Sequence, residues 1–247
     1  FNLLTGTPVL IKNPLTQEEQ PWQLCRTYGC NTIVASENLL TFRSGAAGFY
    51  DLETMSGTGN FGGFKSGCTS NLIVANGVLN APDYTRTCTC GYQNQTSLAL
   101  VHAPEMDMWT VNHVAHLSKP GDEIKRIGLN LGAPGDRVDA EGTLWIDYPA
   151  VGGDSVALDV QLKGDAKYYS RNSLTYSGSA EPWIGSSGVE NLTEIVVPLA
   201  VKGIPAAHTY RIQDGANDVE ERADGTIYVD SSDLELVEDE GTQVVGL

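Results

Sequence analysis

The residues in this chain whose chemistry is easiest to name are its five cysteines, Cys25, Cys30, Cys68, Cys88 and Cys90, all within the first 90 positions. The C-x-x-C spacing of a zinc site is missing, and no histidine lies near enough in sequence to complete one. Disulfide formation in an oxidising compartment is the chemistry that this arrangement suits. Cys30 and Cys68 follow glycine at matching places in a repeated motif, and each is expected to pair with one of Cys88 and Cys90. The latter two are separated by a single residue and, on a strand, would share a face. Cys25 is left over, as a thiol or for an intermolecular bond.

Two further groups offer ligands. The acidic stretch Asp214-Gly215-Ala216-Asn217-Asp218-Val219-Glu220-Glu221, with Asp224, supplies several oxygen donors from one loop, as Ca²⁺ requires. Asp214, Asn217, Asp218, Glu220 and Asp224 are the candidate ligands. EF-hand spacing is not met, and a solvated acidic loop has the same composition. Asp136, Asp139 and Glu141 form a smaller acidic group. Core or interface packing is the first expectation for each Trp, and Trp183, in the loop Glu181-Pro182-Trp183-Ile184-Gly185, and Tyr176 are the candidate stacking faces for a sugar ring. Asn94-Gln95-Thr96 and Asn191-Leu192-Thr193 are glycosylation sequons.

Other motifs carry no chemistry. Gly57-Thr58-Gly59-Asn60-Phe61-Gly62 spells G-x-G-x-x-G, but Gly63-Phe64-Lys65-Ser66-Gly67 follows, which cannot start the helix a pyrophosphate needs. Neither the C-x-x-C-H string of haem attachment nor a G-x-S-x-G elbow occurs. His113 and His116, with His102, Glu105 and Asp107 nearby, have the residue types of a metal site. Spacing of i, i+3 suits a helix, however, and this region reads as strand and loop, so the default is two partly exposed histidines in the linker after the last blade. No catalytic residue is assigned.

The elements that must position these groups are short strands. Ile33-Val34-Ala35 returns as Ile73-Val74-Ala75, forty residues later, and each is followed by a turn signal and a second apolar run. A period of about 40 filled by short strands is the pattern of stacked β-propeller blades. A ring needs roughly 4–8 blades, so two predict a larger assembly. Charged residues are 19%, below the usual proportion of about 25%, and there are 27 glycines, which favours a turn-rich all-β chain over a helical one. The formal net charge of −16 disfavours nucleic acid and anionic lipid as partners. No run of about 18 apolar residues occurs, so no membrane insertion is expected.

The expected fold class is all-β, a partial β-propeller of about two blades followed by a β-sandwich or jelly-roll module. Residues 1–118 are assigned to blades, 119–205 to the sandwich, after the linker Lys119-Pro120-Gly121-Asp122, and 206–247 to an acidic β segment that either adds an edge to the sandwich or starts a further one. Within the last of these, Thr226–Asp230 and Val244–Leu247 read as strands.

Arg26-Thr27-Tyr28-Gly29-Cys30, Ala35–Gly45, Gly48-Phe49-Tyr50-Asp51-Leu52, Gly67-Cys68, Asn76–Pro82 and Cys88-Thr89-Cys90 together resemble the C-terminal blades of PQQ-like (quinoprotein-type) β-propeller proteins of planctomycete-type bacteria, over residues 1–105. Ile127–Gly132 and Glu141-Gly142-Thr143-Leu144-Trp145 make residues 124–200 similar to a malectin-like β-sandwich. The resemblance implies a non-catalytic binding or scaffold module of a large secreted, cell-surface or periplasmic protein. Its implied partners are the rest of a larger polypeptide or further copies of itself, joined through open strand edges, and a polysaccharide. The alternative is a fragment of a quinone-dependent dehydrogenase, or of a polysaccharide-active enzyme whose catalytic part lies elsewhere. Quinone enzymes use adjacent cysteines beside the cofactor, and Cys88-Thr89-Cys90 is not that, so PQQ is not expected. Ca²⁺ is the one cofactor candidate.

Overall fold

The computed structural model describes residues 1–62, 64, 72–82, 97–103, 106–113, 125–152, 160–176, 181–198, 219–221 and 226–230. The chain is all-β, built from several mainly antiparallel sheets with no closed barrel among the described residues. It divides into two compact units, one of Gln23–Val111 and the other of Phe1–Trp22 together with Asn112–Leu247. The sequence reading placed the break near residue 118 and left residues 1–22 with the blades. Backbone hydrogen bonds explain the different grouping. β1 (Leu10–Lys12) pairs with β2 (Glu19–Pro21) around a loop in which Asn13 Oδ1 accepts from the Leu15 and Thr16 amides. The Leu15 carbonyl then accepts from the amides of Lys125 and Arg126, at 2.8 and 3.1 Å, and the Leu15 side chain is fully buried.

In the unit of residues 23–111, β3 (Val34–Ala35), β4 (Leu39–Ser44), β5 (Ala46–Asp51) and β6 (Thr58–Asn60) follow one another as an antiparallel meander. β7 (Ile73–Ala75), β8 (Val78–Ala81) and β9 (Leu98–Val101) form a second one, and β10 (Thr110–Val111) returns to pair with β6. The two copies of the Ile-Val-Ala repeat therefore open equivalent hairpins, β3–β4 and β7–β8. Asn76 and Gly77 join the second at φ of 53° and 75°, the pair of positive angles that a tight primed hairpin turn demands. Ala47, Leu72, Leu79 and Ala81 are buried between the sheets, with Phe61, Phe64, Val74, Leu98 and Leu100 packed against them. A hydrogen bond of 2.6 Å from Thr41 Oγ1 to the Leu72 carbonyl ties β4 to the segment before β7.

In the other unit, β11 (Gly128–Leu131) runs parallel to β13 (Leu144–Tyr148), and β12 (Arg137–Val138) pairs antiparallel on the far side of β13. Every residue of β11 is buried, as are Leu144–Asp147 of β13. β14 (Gln161–Ser170) and β15 (Ser187–Pro198) make a long antiparallel ribbon, joined through a 3₁₀ turn and the single-turn helix α1 (Pro182–Gly185). β16 (Val219–Glu221) and β17 (Thr226–Asp230) complete that sheet in the order β14-β15-β17-β16. Of the acidic segment, residues 219–221 and 226–230 thus add strands to this sheet, the first of the two readings given for it above. Residues 226–230 take the edge of β15 left open by β14, pairing with 194–198. Val244–Leu247 lie outside the described residues.

One device recurs in both units. At three places where a strand pair sets glycine opposite an aromatic residue, the ring lies over the glycine. Phe49 covers Gly59, Trp145 covers Gly128 and Tyr169 covers Gly188, and each pair is in direct register. A β-carbon at any of the three glycines would collide with the ring. Absence of a side chain is what lets the ring approach the neighbouring backbone.

Candidate functional site

The unit of β11–β13 concentrates buried polar groups. Asp136, Asp147, Asn130, Asn112, Ser186 and Ser187 are all buried, with Asp136 at 1% exposure and Asp147 at 4%. Aspartate is almost never this buried unless its charge is answered. Asp136 Oδ2 accepts from the Asn112 amide at 2.8 Å and its Oδ1 from the Asp147 amide at 3.0 Å. Asp147 Oδ2 accepts from the Val151 amide at 2.7 Å. Ser187 donates to Asn130 Oδ1 at 2.8 Å, and strand register sets Asn130 beside Asp147. The two carboxyl groups thereby join the start of the segment at 112, the entry to β12 and the end of β13.

Burial pushes the Asp136 carboxyl up from 3.8 to about 7. The amides of Asn112 and Asp147 oppose that rise, and the Asp147 carboxylate adds to it. Asp136 can therefore hold a proton near neutral pH beside a second carboxyl group. Asp139 is used differently. Its Oδ1 accepts from the Thr143 amide at 2.7 Å and its Oδ2 from Trp145 Nε1 at 2.9 Å, which fixes the indole over Gly128. Of Glu141, the backbone carbonyl takes part, accepting from Arg126 at 2.8 Å. The acidic group seen in sequence is thus split, with Asp136 facing Asp147 and Asp139 serving Trp145.

Trp183 takes the packed role, the first of the two uses weighed for it. The stacking platform expected on an exposed loop is instead the first turn of α1, with Trp183 at 6% exposure. Its ring meets Trp145 edge-on at 5.8 Å, and the Arg137 guanidinium covers it at 4.8 Å. An indole covered in this way offers no face to a sugar. Tyr176 is half-buried, its ring lying against Gly185.

The remaining expected residues are placed as follows. Cys30 is an exposed thiol with the Tyr28 hydroxyl 3.4 Å from its sulfur, and Cys25 is half-buried. Cys68, Cys88 and Cys90 lie outside the described residues, as do Asp214, Asn217, Asp218 and Asp224. Glu220 falls within β16, where only the backbone is described. Asn191 is exposed at a bulge in β15, with φ of 60°. Among the described residues, no three His, Cys, Asp or Glu side chains are grouped to hold a metal ion.

Sequence reasoning missed Asp147 and Asn130. The signal was present in Thr143-Leu144-Trp145-Ile146-Asp147-Tyr148, a strand apolar on both faces and so buried on both, which contains one carboxylate. Comparison with known proteins adds no name to this arrangement: no family model, no curated protein and no solved structure matches the chain.

Proposed function

We propose that this chain is a non-catalytic scaffold and binding module of a larger secreted or cell-surface protein, assembling through a sheet face that the described residues leave uncovered. The observation that carries the reading is the outer face of β7-β8-β9. Register places Val74, Leu79 and Leu100 in one row, with Ala81 and Leu98 on the same side, toward the buried cluster. The opposite side presents Ile73, Ala75, Val78, Asn80, Ala99 and Val101. Five of these six are apolar, and Val101 and Ile73 stand 72% and 46% exposed. An antiparallel sheet with one face in water normally alternates apolar with polar residues. Here both faces are built to be covered, as in a stack of sheets where each packs on the next.

The four-strand meander β3–β6 and the repeated hairpin are what successive blades of a propeller would contribute, which supports the PQQ-like reading of residues 23–111. The edge strand β14 makes a useful contrast. It carries Lys163, Asp165 and Lys167, charges that discourage pairing with another chain, whereas β9 carries none. The occupant proposed for the outer face is a further sheet of the same kind, from the remaining polypeptide or from another copy.

The double substitution Ile73→Lys with Val101→Lys tests this. Both side chains face solvent, so folding stability should change by no more than about 1 kcal/mol for the pair, about 0.5 kcal/mol for each. Self-association of the wild-type chain, measured by sedimentation, should disappear in the variant. Identical sedimentation of wild type and variant as monomers up to high concentration would remove the argument from this face.

A further inference from the structure

Three of the four carboxylate oxygens at the Asp136–Asp147 junction accept a backbone amide, as described above. The fourth, Asp147 Oδ1, is buried and meets no donor among the described residues. A buried carboxylate oxygen without a donor is costly, and two adjacent buried carboxylates more so. We propose that Asp136 and Asp147 hold one proton between them, the Asp136 carboxylic acid donating to Asp147 Oδ1, so that a proton latches the corner where residue 112, β12 and β13 meet. A single proton answers both difficulties, since it gives Asp147 Oδ1 its donor and removes one of two like charges.

The surroundings agree. Asp147 acts on Asp136 both through its charge and through a side-chain hydrogen bond that favours the protonated form. Among the described residues, the charged or titratable groups on the same segments include Asp139, held by Trp145 and Thr143, Arg137, placed over Trp183, Tyr148, whose hydroxyl donates to the Val160 carbonyl, and His113, next to Asn112.

The direction of the pH effect follows from linkage. A carboxyl that titrates near 7 when folded and near 3.8 when unfolded keeps its proton in the native state after the unfolded chain has lost it. Its stabilisation is complete below pH 3.8, declines as pH rises toward about 7, and does not change further above that. The corner is therefore latched in mildly acidic surroundings and loosened in alkaline ones.

Carboxyl carbon resonances of the full-length wild-type chain, followed from pH 3 to 9, read the proton directly. One aspartate should titrate with a midpoint near 7. Its resonance should be lost in Asp136→Asn and its midpoint should fall toward the ordinary range in Asp147→Asn. The melting temperature of Asp136→Asn should gain on that of the wild type as pH rises from about 4 to 7. If every aspartate in the wild type titrates below about pH 5, the shared proton is refuted. That experiment needs neither variant to fold.

Discussion

Replacing Trp145 with alanine is expected to lower stability by about 3–5 kcal/mol, the range for removing a large buried aromatic side chain. Three separate losses combine at this position. The indole is 2% exposed and covers the bare backbone of Gly128 on the parallel neighbouring strand. It also supports the edge of Trp183, itself held by Arg137. Its Nε1 donates to Asp139 Oδ2, so truncation leaves a carboxylate oxygen short of a donor. Trp145→Phe should keep most of the packing and lose the hydrogen bond, and so fall between wild type and alanine. Urea unfolding monitored by circular dichroism measures all three proteins. A loss below about 1 kcal/mol for Trp145→Ala would mean that the indole is not the centre of this core.

The second large effect is expected at Gly59, in the other unit. Phe49 lies directly over it across β5 and β6, with the Phe61 ring 4.7 Å from that of Phe49. Gly59→Val places two methyl groups where the Phe49 ring now sits, between a backbone and an aromatic cluster that cannot both yield. Overpacking of this kind costs about 1–3 kcal/mol. The mechanism makes a sharper claim than the magnitude does. In Gly59→Val with Phe49→Ala the collision is gone, so the double variant should lose less than the sum of the single variants, by 0.5 kcal/mol or more. Strict additivity would show that the ring and the glycine do not interact as the strand register indicates.

These two sites also show what the sequence could and could not disclose. The β-rich class and the paired hairpins were legible, because a forty-residue repeat of Ile-Val-Ala with Asn76-Gly77 behind its second copy leaves few other conformations. Strands at Leu144–Tyr148 and Thr226–Asp230 were legible from their alternation and flanking turns. Long-range pairing was not. Nothing local says that Leu15 will receive the amides of Lys125 and Arg126, or that β17 will pair with β15, since contacts across a hundred residues leave no periodicity. The helical turn at Trp183 was not legible because Pro182 and Gly185 look like a loop, whereas proline at the first turn of a helix is well tolerated. The Asp136–Asp147 pair was half visible, since Asp136 drew notice for its acidic neighbours and Asp147 was hidden inside an apolar strand.

The proposal that residues 23–111 contribute stacked sheets to something larger rests on the exposed face of β7, β8 and β9, and the native mass of the protein purified from its source tests it most directly. A mass well above 26.5 kDa under non-denaturing conditions is the predicted result, with Ile73 and Val101 protected from surface labelling in that form. A particle of 26.5 kDa with both residues open to the label would contradict the account, because the apolar face would then be one that this protein keeps in water.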